Sequence, residues 1–430
     1  HKRIAGININ ARIAVTQGFL LFLFRHNFFR GCPGVVLYTL LTVQFSIFGL
    51  LLFRMKTFSI HFCARRFIAA VGLTLILAMA APLARAVVVS NLYDVEFPVP
   101  DQSSTVRSAA FSKGLEQVLI RVSGSRSVLL NVNPGSAASY VQQFSYVETL
   151  EQQESAVDPL SPVAETAAVS YSLKVQYNAG KIINLLRESG QPVWGEHRSE
   201  AVVWLAVRDG ANRYVLKDND TSLLKQSAED SMARRGVPLL WPIYDLEDQQ
   251  QLGFTDVWAA FERPVTAASK RYTRGPAIVG RLSWTGNVWK ADWALFVEKS
   301  AYSWSLSGSD YNSLIAEGID LAADEIGKHY AVLERTGISE PDLLVEIHNI
   351  DTLKDYRDIQ QFFEGLTAVR QAHVIRVDRD NVVFRIDLRG DMDDFTRLVA
   401  TDRKLEPLVD AIQPGGNPEL QTVLRYNYRK

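Results

Sequence analysis

The sequence predicts a mixed α+β protein of two or three small domains, the last of them a ferredoxin-like βαββαβ domain. Three observations predict it. Residues 1 to 86 contain ten Lys and Arg, no Asp or Glu and both cysteines, whereas acidic residues begin at Asp94, so folded sequence is expected from about Val87. Beyond that point, period-2 alternation and helical spacing of apolar residues take turns along the chain. All eight tryptophans fall between Trp194 and Trp304, which sets off a middle region.

The basic leader divides at Met55. From there Lys56, Arg65 and Arg66 precede the apolar run FIAAVGLTLILAMAA (Phe67 to Ala81), and Pro82-Leu83-Ala84-Arg85-Ala86 supplies a small-residue end. A basic start, an apolar stretch and an A-x-A end form a secretory signal peptide, assigned to 55–86. Residues 1–54 hold a second apolar run, Gly34 to Phe53, long enough to span a bilayer. Positive charge flanks that run on both sides, so it gives no orientation. It is expected to be upstream sequence read in frame, with an inner-membrane anchor as the alternative; membrane association is expected only if residues 34–53 are retained.

Cleavage after Ala86 changes the charge. Taking the ten leader cations from 46 leaves 36 against 47 acidic residues, a net of −11. An acidic body disfavours nucleic acid, which requires clustered Lys and Arg. Cys32 and Cys63 both lie in the leader, so disulfides, thiol catalysis, cysteine metal sites and a lipid anchor at the cleavage site are all excluded for the secreted body.

The first domain is expected over 87–190. Val87 to Val99 reads as a strand stopped by Pro98 and Pro100, and Ser103 to Val122 as a helix with Val106, Ala110, Val118 and Arg121 at helical spacing. Ser123-Gly124-Ser125 ends it. Residues 151–167 read as an exposed loop, Ala168 to Tyr177 as a strand and Lys181 to Glu188 as a short helix. A Trp-rich αβ domain follows over 191–335. Its near-continuous apolar strand AVVWLAV (Ala201 to Val207) precedes a helix capped by Asp220 or Thr221 and ended at Gly236, and VPLLWPIYD reads as a parallel strand. IVGRLSW and VWKADWALFVEKS form a hairpin about Thr285-Gly286-Asn287, then a strand near Tyr302 to Leu306 and a helix from Asp310 to Leu333 close the domain. In 341–430, LLVEIHNI, the helix LKDYRDIQQFFEGL, AHVIRVD, NVVFRIDL, a helix from Asp393 and TVLRYNY give the split βαβ order. The helix is expected to turn Leu353, Tyr356, Ile359, Phe363 and Leu366 inward.

RVSG (Arg121 to Gly124), PLLWP (Pro238 to Pro242) and VIRVDRDNVVFRIDLRGD (Val374 to Asp391), in this order of elements, resemble the domain-of-unknown-function family 2066 of secreted Gram-negative envelope proteins. The resemblance is expected to extend over most of the secreted chain. It implies secretion and no established activity, and it transfers no site residues. More faintly, the middle region is similar to the small αβ domains of outer-membrane and flagellar-base accessory proteins.

Chemistry-bearing patterns are sparse. Ser222 and Lys225 match S-x-x-K, but its K-T-G companion is absent and helix capping explains the serine. His197, His329, His348 and His373 are far apart and show no metal-ligand spacing. Asp378 and Asp380 begin like a calcium loop, but Val382 stands where a ligand belongs. Asp391, Asp393 and Asp394 sit where a helix starts and suit its dipole. No catalytic residue, metal ligand or cofactor site is assigned, and no cofactor is expected. Trp284, Trp289 and Trp293 are the candidate ligand platform, since indole offers an apolar plane and an N–H donor; the competing reading is a core under the Asp310 to Leu333 helix. Three functions stay open: a non-catalytic periplasmic adaptor for envelope proteins, a glycan or peptidoglycan binder, and an enzyme whose carboxylates meet only in the fold. The adaptor is expected to show an exposed apolar patch and no deep polar pocket.

Overall fold

The structure, a computed structural model, describes residues 87–151, 168–335, 343–402, 404–408 and 423–429. The expected signal peptide, the apolar run Gly34 to Phe53 and all of the expected loop 151–167 except Glu151, which ends a strand, lie outside the described residues. The described residues belong to one compact unit, Ala84–Lys430. It is α+β, as the alternating periodicities predict.

The first part carries β1 (Val87–Val88), β2 (Asp94–Val99), α1 (Ser104–Ser123), the single turn α2 (Val128–Asn131), β3 (Val141–Glu151), β4 (Ala168–Tyr177) and α3 (Ala179–Glu188). The expected strand from Val87 to Val99 is therefore two. A turn closed by the Asp94 amide donating to the Asn91 carbonyl separates them. β1 pairs with β5 (His197–Arg198), while β2 joins the antiparallel sheet β2-β4-β3. Ser103 caps α1 by accepting from the Val106 amide, and Gly124 ends it in the left-handed region at φ 81°. Phe111, Leu115, Val118, Leu119 and Val122 bury the helix against Leu173, Val175 and Tyr177. Each such side chain contributes roughly 1.5–3 kcal/mol.

The middle sheet runs in the order β11-β10-β9-β6-β7. β6 (Ala201–Asp209) is buried along its first seven residues because it is covered on both faces, and it pairs parallel with β9 (Ala277–Trp284). β7 (Asn212–Val215), α4 (Leu223–Arg235) and the two-residue β8 (Leu239–Leu240) follow. β8 is parallel to β6, as the strand-helix-strand reading expects, but much shorter than VPLLWPIYD, since Pro238 and Pro242 bracket it. Three short helices then cover one face: α5 (Leu246–Gln251), α6 (Phe254–Ala259) and α7 (Glu262–Ser269). β10 (Trp289–Val297), β11 (Ser300–Gly308) and α8 (Tyr311–Tyr330) complete the region, with α8 on the opposite face.

The last part comprises β12 (Leu343–His348), α9 (Leu353–Gly365), β13 (Val369–Asp378), β14 (Asn381–Leu388), α10 (Met392–Thr401), β15 (Leu405–Pro407) and β16 (Val423–Tyr428), with sheet order β13-β14-β12-β16-β15. This is consistent with a ferredoxin-like split βαβ, with one departure. β16 pairs parallel with β12 and antiparallel with β15, so TVLRYNY is inserted between the first strand and the strand that follows α10. On α9, Ile359, Phe362 and Phe363 face inward, whereas Leu353 is 72% exposed at the helix start. One apolar cluster runs without a break from Trp194 through α8 to Tyr428.

Candidate docking cleft and aromatic cluster

The β9–β10 hairpin aligns Trp284 with Trp289 and Gly280 with Trp293. Gly286, at φ 103°, makes the turn between them. The Trp293 indole fills a slot between Gly280 and Gly318 of α8: a Cβ added at Gly318 would lie 2.2 Å from the indole, and one at Gly280 2.7 Å. Only 3% of Trp293 is exposed, so it belongs to the core beneath α8. Trp284 and Trp289 stay near the surface with ring centroids 5.3 Å apart, and Tyr311 adds a third ring 5.4 Å from Trp289. Of the three predicted platform residues, the structure thus brings two together and separates the third.

A different feature was not visible in the sequence. An open cleft of about 800 Å³ lies between the polar face of the β2-β4-β3 sheet, the C-terminal half of α1 and α4. Alternation puts Val95, Leu173 and Val175 into the core and the residues between them into the cleft. Asp94, Gln176 and Gln143 form one row across the sheet, and Glu96, Lys174 and Ser145 the next. Glu96 pairs with Lys174 at 3.5 Å and accepts from the Ser172 hydroxyl. Gln117 and Arg121 come from α1, and Asp230 and Arg234 from α4.

Arg121, which lines the cleft, and two further buried arginines, Arg198 and Arg235, join the surrounding elements. Arg121 donates to the carbonyls of Asn91, Leu92, Asp94 and Arg234. Arg198, fully buried, donates to the carbonyls of Gly195, Arg235, Gly236, Arg121 and Trp194, with its guanidinium 4.0 Å from the Trp194 ring. Burial pushes the two guanidiniums down to about 10 and about 9, so both stay charged at neutral pH. The carbonyls they bind include those at the C-terminal ends of α1 and α4, which lack helical partners and carry the negative end of the helix dipole. Arg235 donates to the Gly124 carbonyl and pairs with Asp324 at 2.6 Å. Burial alone would raise Asp324, but Arg235 and the hydrogen bonds from Arg235 and Arg126 hold it below the usual carboxylate range.

The remaining candidates act locally. Ser222 caps α4 by accepting from the Lys225 amide. Asp391 caps α10 in a reciprocal box with Asp394, and Arg335 pairs with Asp391 at 2.6 Å. Asp378 sits in the β13–β14 hairpin, where Arg376 pairs with it. His329 faces Glu298, His348 faces Glu346, and His197 packs edge-on against Phe362. Among the described residues no group of three His, Cys, Asp or Glu is arranged to hold a metal ion, and no helix is long and apolar enough to cross a membrane.

Residues 343–421 match the family DUF2066. That span runs from β12 past β15 and contains the Val374 to Asp391 hairpin, but not β16. The cleft lies elsewhere. Residues 86–195, which supply its sheet and α1, match a second family described as Domain of unknown function (DUF8605). RVSG falls within that second match, and PLLWP, on the strand between the two, falls within neither. The DUF2066 resemblance is therefore shown for the last part of the chain. No curated protein matches the sequence.

Proposed function

We propose that this chain is a non-catalytic adaptor of the Gram-negative cell envelope, secreted to the periplasm, which docks protein partners in the cleft between its first sheet and α4. The lining carries the reading. The carboxamides of Gln117, Gln143 and Gln176 and the carboxylate of Asp230 make no hydrogen bond or ion pair among the described residues, and the Asp94 carboxylate faces the Arg121 charge. A carboxamide offers both donor and acceptor, as a peptide group does, and neighbouring charges of both signs set register and partner choice. The cleft is polar, which the adaptor reading did not expect, but it is open to solvent. The test is a photo-crosslinking residue placed at Gln143 or Gln176 in living cells, with Lys354 as a distant control. A discrete protein adduct confined to the cleft positions is expected; no adduct, or the same adduct at Lys354, would overturn the proposal. Intact mass of the protein from fractionated cells tests compartment: a periplasmic species beginning at Val87 is expected, and a membrane-bound one retaining Gly34 to Phe53 would refute secretion.

A glycan-binding reading is favoured by the aromatic cluster at Trp284, Trp289 and Tyr311, with Trp284 38% exposed. It predicts quenching of tryptophan emission by peptidoglycan fragments, abolished by Trp284→Ala. The enzyme reading predicts two acids converging in a cleft with raised pKa values. Among the described residues burial raises the carboxyl of Asp320, which lies outside the cleft lining beside Arg234 and Arg235.

A further inference from the structure

We infer that the free edge of β11 is a homodimer interface, at which two copies of this chain pair antiparallel and join their middle sheets into one. β11 ends the β11-β10-β9-β6-β7 order, so among the described residues one side of its backbone has no strand partner. Unpaired edges are normally guarded by charge, proline, bulges or brevity. The other edges described here have such guards. β13 carries Arg370 and Arg376 and two register shifts. β3 carries Glu148 and a register shift, β2 carries Glu96 and Pro98, β15 has three residues and ends in Pro407, and β7 has four and contains Arg213. β11, Ser300-Ala-Tyr-Ser-Trp-Ser-Leu-Ser-Gly308, has nine residues, no charge and no proline, and it pairs with β10 without a shift.

A second copy suits this edge for two reasons. The first is pattern. Tyr302, Trp304 and Leu306 lie on the α8 face, opposite Leu295, Trp293 and Ala291, while Ala301, Ser303, Ser305 and Ser307 lie on the other. The order reads nearly the same in both directions about Trp304. In a two-fold pair centred there, Tyr302 meets Leu306, Ser303 meets Ser305 and Ala301 meets Ser307, which keeps aromatic with aliphatic and hydroxyl with hydroxyl. The second is charge. Exposed Lys299 precedes the strand and Asp310 follows it, so antiparallel pairing brings the lysine end of each copy beside the aspartate end of the other. Glu298 shares the lysine end and lies 3.4 Å from His329, an ion pair only when that imidazole carries a proton.

The test is sedimentation velocity on the full chain and on two double variants at Ala301 and Ser307, both exposed. In the proposed register these residues face each other twice across the two-fold. Ala301→Glu with Ser307→Glu places like charges opposite, and is expected to weaken the dimer by roughly tenfold or more. Ala301→Lys with Ser307→Glu places opposite charges there and is expected to keep the dimer. Unchanged far-UV circular dichroism checks that all three are folded. A wild-type chain that stays monomeric at all concentrations, or whose β11 edge crosslinks to a different protein or to another segment of its own chain, would overturn the inference. So would a Glu/Glu variant as dimeric as wild type, or a Lys/Glu variant as monomeric as the Glu/Glu one.

Discussion

At the scale of single residues, the buried charges are the most sensitive points. Arg198 places five N–H···O contacts on backbone carbonyls and has no carboxylate among them, so its replacement leaves several acceptors buried without donors. Arg198→Lys keeps the charge but not the planar fork, and is expected to cost about 3 kcal/mol or more, read as a lower urea midpoint at unchanged slope. A second prediction concerns pH. Burial holds His197 below its ordinary value, with Asp402 opposing and Lys404 assisting the shift. The unfolded chain therefore takes up a proton at this site before the folded one does. The stability His197 contributes is complete above the unfolded value near 6.5 and is lost as pH falls through the lower folded value. His197→Gln is expected to flatten the stability profile as pH falls below the ordinary imidazole value of about 6.5. Asp324, held low by its arginines, acts further into acid. An unaltered slope in the variant would show that His197 does not titrate in the folded state as described.

At the scale of elements, the long helices and the β9–β10 hairpin were legible because each makes its own periodic signal. α1, α8 and α9 start and stop within a few residues of where capping and apolar spacing put them. α5, α6 and α7 were not legible. They have six, six and eight residues, too few for a period, and tertiary bonds hold them: Arg271 pairs with both Asp245 and Asp248, to which the Tyr272 hydroxyl also donates. The arginine network beside the cleft was equally hidden, since Arg198 reaches carbonyls up to 77 residues away and sits in a segment, His197 to Glu200, with no alternation. The glycine in RVSG acquires a physical role: Gly124 is the left-handed cap of α1 and touches Gly327 of α8. A Cβ at Gly327 would lie 2.0 Å from the Gly124 carbonyl oxygen, backbone that cannot turn aside. Gly327→Ala is expected to cost about 3 kcal/mol by separating the two helices, whereas Ala at Gly210, with nothing within 4 Å but φ 57°, incurs only the smaller backbone cost. Equal melting temperatures for the two variants would refute the close contact.

At the scale of the whole molecule, the decisive fact is that apolar packing does not stop where the sequence pattern changes. The Trp-rich stretch and the DUF2066 segment read as separate units because their periodicities and aromatic content differ. Yet Ile326 and Tyr330 of α8 belong to the same buried cluster as Phe363, Phe395 and Tyr428. Between them run Arg397 donating to the His329 carbonyl and Arg389 donating to the carbonyl of Val369 while facing Glu334 at 3.6 Å. Segments that share a buried surface cannot expose it one at a time without each paying the hydration cost of the other's face. The middle and last sheets are therefore expected to unfold together. Native-state hydrogen exchange tests this: amides of β9 and of β14 should lose protection at the same denaturant concentration and with the same slope. The first sheet has its own apolar cluster, centred on Leu115, Leu119 and Leu173, and is tied to the rest through the arginine carbonyl contacts. Its amides should open at lower free energy in Arg198→Lys while those of β9 and β14 still open as one. If β14 opened ahead of β9 in the wild-type chain, the shared cluster would be an adhesion between independently stable domains instead of one core.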